Sequence, residues 1–146
     1  MTHRIVAFAL AAAALTLSPV VLAAGSHVKG AEPLRISHGE VINLEDYLVP
    51  GKTTIFDFYS DYCPPCRALK PRLEKLHARR DDIALVVVDI NRPGMGRIDW
   101  KSPVALHYHL HSIPHLAVFG PDGKLIAEDG DGDPAARKLV ARWMKD

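Results

Sequence analysis

A chain of 146 residues is enough for one domain and not comfortably for two, and with 48% apolar residues a packed core is expected. Its 18 Lys and Arg against 17 Asp and Glu leave a formal charge of +1, with no basic run longer than Arg79-Arg80. Nucleic-acid binders carry a basic surplus, so a nucleic-acid partner is not expected.

In chain order, the first segment has the layout of a secretory signal: a short start holding Arg4, a low-polarity stretch from Ile5 to Leu17, then Pro19 and the small residues Ala23 and Ala24. The expected division is 1–24 signal peptide and 25–146 mature domain. Cleavage removes Arg4 and no acidic residue, so the mature chain has no formal charge. The alternative is a retained membrane anchor, since Ile5 to Ala24 is about long enough to span. Ser18-Pro19 argues against it, and no Cys near the cut suggests lipid modification.

Gly25 to Ser37 reads as a loose leader, Glu40 to Asn43 as a short strand, and Asn43 as the cap of a short helix over Leu44 to Leu48. Pro50-Gly51 marks a turn. Thr53 to Tyr59 is β-branched and aromatic, a buried strand. Pro64 to Arg80 repeats Leu69, Leu73 and Leu76 at helical spacing. Ile83 to Ile90 is apolar up to Asp89, as in a strand covered on both faces. A polar excursion, Asn91 to Ser102, contains Pro93, Gly94 and Gly96. Ser102 and Pro103 then open a helix to about Leu110. His115 to Phe119 and Leu125 to Glu128 are strands joined by the turn Pro121-Asp122-Gly123-Lys124. After the acidic, Gly-bearing stretch Asp129 to Asp133, a helix from Pro134 to Lys145 buries Leu139, Val140 and Trp143. This order implies an α/β fold: a central mixed β-sheet with helices on both faces.

The only cysteines, Cys63 and Cys66, are three positions apart. In an exported protein a cysteine pair usually means a stabilising disulfide. A loop this short removes little chain entropy when closed, so a reactive pair is the better reading. Cys63-Pro64-Pro65-Cys66 falls between a predicted strand and a predicted helix. A helix N-terminus carries partial positive charge and unpaired N–H groups, which stabilise a thiolate. Cys63 at the cap is expected to face solvent and to attack. Cys66, a turn deeper, is expected to resolve. Pro64 and Pro65 donate no hydrogen bond, leaving the Cys66 N–H as the nearest helical donor to the Cys63 sulfur.

The stretch Phe56-Asp57-Phe58-Tyr59-Ser60-Asp61-Tyr62-Cys63-Pro64-Pro65-Cys66-Arg67 resembles the active-site segment of the thioredoxin superfamily. Asp57 matches the family's buried Asp, Pro71 the proline within its active-site helix, and Ile113-Pro114 its cis Ile-Pro. Pro121 to Leu125 resembles its last hairpin, and the likeness runs from about Thr53 to Lys145. The resemblance implies the thioredoxin-like fold and thiol–disulfide exchange on protein substrates, in which Asp57 takes the Cys66 proton. Tyr62 and the backbone of Ile113, presented by Pro114, would hold an extended client segment. The chain departs from the family pattern in two ways. Tyr59 and Tyr62 stand where many members have Trp, and Val86 and Val87 where many have a Lys. Asp57 is therefore expected to lack a cationic partner and to be harder to ionise.

With the export signal, the chain looks more like the periplasmic branch, recharged by a membrane thiol-reductant donor, working in the reducing direction as a monomer and without a cofactor. An oxidant or isomerase is the same-class alternative. A metal-binding or metal-delivery module using the cysteines and His107, His109, His111 and His115 is the alternative from another class. The histidine spacing does not match a metal site, and a solvated helix end explains it more simply. On a helix His107 and His111 would share a face, and His115 could lie near the thiolate. Haem attachment needs His after the second Cys, where Arg67 stands.

Overall fold

The computed structural model describes residues 32–146. The expected signal peptide lies outside the described residues. Five strands form one sheet in the order β1-β3-β2-β4-β5: β1 Leu34–Ile36, β2 Thr53–Tyr59, β3 Ile83–Asp89, β4 His115–Phe119 and β5 Leu125–Glu128. β1 and β2 run parallel to β3, whereas β4 is antiparallel to β2 and β5 to β4. The helices are α1 Pro64–Arg79, α2 Pro103–His107 and α3 Ala135–Trp143.

The apolar runs explain the middle of the sheet. β3 is buried along its whole length, and β2 from Thr54 onward. Side chains alternate between faces, so each strand feeds two cores. On one face Phe56, Phe58, Val86 and Val88 meet Val104 and Ala105 of α2. On the other, Ile55, Leu85, Leu116 and Val118 meet Leu73 and Leu76 of α1 and Val140 of α3. Fully burying one side chain such as Phe56 or Phe58 contributes on the order of 2–3 kcal/mol. Helices thus cover both faces, as the sequence implies.

Three expectations need correction. The stretch read as a loose leader contains β1, whose Leu34, Arg35 and Ile36 pair with Val86, Val87 and Val88. The strand expected over Glu40 to Asn43 is absent, and the next element is a 3-10 turn, Leu44–Tyr47, which Asn43 does not cap with its side chain. Tyr108 holds this segment instead: its hydroxyl accepts from the Leu44 N–H and donates to the Ile42 carbonyl. Finally, α2 stops at His107, short of Leu110. Its start is as expected, with Pro103 in the first turn and the Ser102 hydroxyl accepting from the Ala105 N–H.

Candidate active site

β2 ends at Tyr59, the chain turns through Ser60-Asp61-Tyr62, and α1 begins at Pro64 with Cys63 as its cap. The turn is held locally: the Ser60 carbonyl accepts from the Cys63 N–H, and the Ser60 hydroxyl from the Tyr62 N–H. Cys63 and Cys66 form a disulfide with their Cα atoms 5.3 Å apart. The Cys66 N–H donates to the Cys63 sulfur at 3.2 Å. Pro64 and Pro65 offer no N–H, so this is the single backbone donor of the first turn aimed at that sulfur.

The expectation that Cys63 faces solvent is not met. The residue is 1% exposed and Cys66 0%. Both pack with Tyr59 and Val87, and the partly buried Ile98 and Ile113 pack against the group. Ile113 comes from the loop before β4, and its carbonyl oxygen lies 3.6 Å from the Cys63 sulfur. The Ile113-Pro114 peptide is cis, and Pro114 is buried. Ile98 comes from the excursion between β3 and α2, which folds back against the site. A turn sequence read as polar gives no reason to expect this. The signal was the pair of large apolar residues within it, Ile98 and Trp100.

Asp57 sits on the α1 face of β2, with Val87 beside it on β3 and Leu116 on β4. It is 0% exposed, and neither carboxylate oxygen has a hydrogen-bond partner. Burial pushes its pKa up to about 7, with Lys70 pulling down and Asp129 pushing up by smaller amounts. Lys70 itself pairs with Glu74 one turn along α1. Desolvation therefore dominates, as the apolar Val86-Val87 pair implied.

Sequence reasoning missed a polar brace beside the site. Arg35 of β1 donates to Asp89 at the end of β3 at 2.7 Å and to Asp61 in the active-site turn at 2.7 Å. Its guanidinium lies 5.3 Å from the Tyr59 ring centre. The Arg35 hydrogen bond holds the Asp61 carboxyl below its usual range. Burial, then the Asp61 hydrogen bond, pushes the Tyr59 phenol up to about 12, so it stays neutral and serves as a packing surface. Tyr62, by contrast, is 47% exposed at the rim. Pro71 lies within α1, exposed.

The histidines do not gather. α2 ends at His107, so His107 and His111 share no helical face. His107 stacks edge-on to Tyr108. His115 pairs with Phe58, on the sheet face opposite Asp57, and its Nε2 lies 3.3 Å from Glu128. Among the described residues no group of three or more His, Cys, Asp or Glu is placed to hold a metal ion.

The comparisons agree with this geometry. Residues 40–145 match the thioredoxin family model. The chain is 35% identical over 82 residues to a thioredoxin of Chlamydia trachomatis, covering 56% of this chain and 71% of that one. It is 30% identical over 82 residues to a thioredoxin of Mycoplasmoides gallisepticum, covering 56% and 73%. It is also 31% identical over 122 residues to the thiol:disulfide interchange protein TxlA homolog of Synechocystis sp., covering 82% of this chain and 63% of the relative's length. Among solved structures, a single-residue mutant of a thioredoxin from Halobacterium salinarum superposes with a TM-score of 0.54 at 25% identity, over 82% of this chain and 96% of that one. A bridged Cys-X-X-Cys at a strand-to-helix junction, on this sheet, places the chain in the thioredoxin family of thiol–disulfide oxidoreductases.

Proposed function

We propose that the protein reduces disulfides in protein clients outside the cytoplasm, with Cys63 as nucleophile, Cys66 as resolving thiol and Asp57 as proton acceptor. The observation that carries the reading is the Cys63–Cys66 bridge at the start of α1, packed on Val87, with a buried carboxylate lacking a hydrogen-bond partner at the β2 position paired with Val87. In the reduced protein the Cys63 thiolate attacks one sulfur of a client disulfide. That S–S bond breaks, its other sulfur leaves as a thiolate and takes a proton, and a mixed disulfide forms. Cys66 then gives its proton to Asp57 and attacks Cys63. The client leaves with two thiols, the protein keeps the bridge, and two electrons have passed to the client.

One feature supports the reducing direction. A strong oxidant is one whose reduced form is stabilised, chiefly as a thiolate. Here a Cys63 thiolate would have one helical N–H and a largely apolar shell of Ile98, Ile113 and Tyr59. The charged form is therefore poorly solvated, which favours the bridge and makes the dithiol a better electron donor. Asp57, with a pKa about 7, can exchange a proton with Cys66 near neutrality, which serves the resolving step whichever way electrons flow.

Clients would lie across Tyr62 and the Ile113 backbone, beside the Cys63 sulfur. The layout of residues 1–24 supports export to the periplasm, where a membrane thiol-reductant donor would restore the dithiol, and a monomer suffices for each step. Trapping tests the roles. Reduced Cys66→Ser, mixed with a disulfide-bonded protein, accumulates mixed disulfides visible on a non-reducing gel, and Cys63→Ser does not. Equal trapping by the two variants breaks the assignment.

A further inference from the structure

The excursion between β3 and α2 is an ordered structure with its own cross-braces. Arg92 donates to the buried Asp99 carboxylate at 2.7 and 3.1 Å, and the Asn91 side-chain amide donates to the Arg97 carbonyl at 2.6 Å. Gly39, at φ +87°, lies against Arg92, where a Cβ would come within 2.5 Å of the Arg92 side chain. The segment is thus pinned at its base and within itself.

So braced, it walls an open cavity of about 780 Å³ whose lining includes Tyr62, Met95, Arg97, Ile98, Trp100 and Lys101. Tyr62 immediately precedes Cys63, and Ile98 packs against the cluster that holds both cysteines. The cavity therefore borders the reactive site, sharing Tyr62 and Ile98 with its surroundings. Its apolar and aromatic lining comes from Tyr62, Met95, Ile98 and Trp100, the last 39% exposed. Its charge is one-sided. Among the lining residues Asp99 alone is acidic and Arg92 engages it, while Asp61 is held by Arg35 and Glu40 lies near Arg92. Arg97 and Lys101 are exposed and form no ion pair among the described residues, and the same holds for Arg67 beside Cys66. In a chain whose total charge is +1, this local excess is a property of the site.

We propose that residues 91–102 form the client-docking surface, selecting an extended protein segment with an aromatic or aliphatic side chain for the Met95–Trp100 cavity and acidic residues for Arg97 and Lys101, next to the client's disulfide. This rests on the thiol-exchange reading of Cys63 and Cys66 and adds the substrate preference. Attraction across such a surface speeds encounter and is screened by salt.

The test uses two disulfide-bonded peptides that share a Phe near the bridge and differ only in flanking Asp and Glu or flanking Lys. The reduced protein should oxidise against the acidic peptide about tenfold faster at low ionic strength, with the gap narrowing in about 0.5 M salt. Arg97→Gln/Lys101→Gln should collapse the gap, and Arg97→Glu/Lys101→Glu should reverse it. Both side chains are exposed and form no ion pair among the described residues, so the variants should fold. Equal wild-type rates with the two peptides, or an unchanged gap in the Glu variant, overturns the proposal. Uncharged 2-hydroxyethyl disulfide separates the two levels. Wild-type exchange with it but no peptide discrimination sinks the docking surface alone. Exchange with no disulfide at all sinks the thiol-exchange reading as well.

Discussion

A carboxylic acid with no hydrogen-bond partner, enclosed between Val87 and Leu116, costs the folded protein free energy whenever it is ionised. Asp57 has its pKa raised to about 7 from 3.8, so between those values the native state holds a proton that the unfolded chain has lost. Its contribution to stability therefore falls as pH rises through that window, and the penalty is complete above about pH 7. Asp57→Asn should stabilise the oxidised protein at about pH 8 by up to about 4 kcal/mol, the equivalent of the shift. The gain should fade by about pH 4. Urea unfolding of both proteins at the two pH values checks this, and a gain independent of pH would contradict it. The same substitution should remove an inflection near pH 7 from the rate at which Cys66 resolves a mixed disulfide. Asp57's environment was legible because its neighbours on β3 were visibly apolar. The closure of Cys63 was not, because Ile98 comes from 35 positions further along the chain.

At the scale of elements, the strands that lie between long apolar runs were readable, and the pieces that rely on distant polar partners were not. Thr53–Tyr59, His115–Phe119 and Leu125–Glu128 have the expected bounds. β1 escaped notice because Leu34-Arg35-Ile36 is too short to show a period, and its anchor, Asp89, lies 54 positions away. Arg35→Ala should leave the nearly buried Asp89 without its strongest partner and destabilise the protein by about 1–3 kcal/mol in urea unfolding. An unchanged midpoint would mean that the brace is ornamental. The excursion's role can be tested separately. Ile98→Ala uncovers the bridge, so a small phosphine should reduce Cys63–Cys66 several-fold faster than in the native chain. An unchanged rate would show that Ile98 does not control access.

For the whole molecule, alternating strands and helices with a charge near zero pointed to a mixed sheet covered on both faces and away from a polyanion partner. The sheet order β1-β3-β2-β4-β5 needed the structure, because strand pairing depends on contacts that a local pattern does not encode. That order puts β2 in the centre between β3 and β4, and so buries Asp57 on the strand that leads into α1. The sheet gathers the cysteine pair, Val87 and, in register with it, Asp57 at one end of β2 and β3, and the reducing role proposed for the pair is open to direct measurement. Redox titration of the protein in glutathione or dithiothreitol buffers, read by the mass shift on alkylation, measures this directly. The account predicts one two-electron transition of the Cys63–Cys66 pair near the thioredoxin range, about −270 mV. A value near about −120 mV, where the strong oxidants lie, or a pair that does not bridge at all, would contradict it.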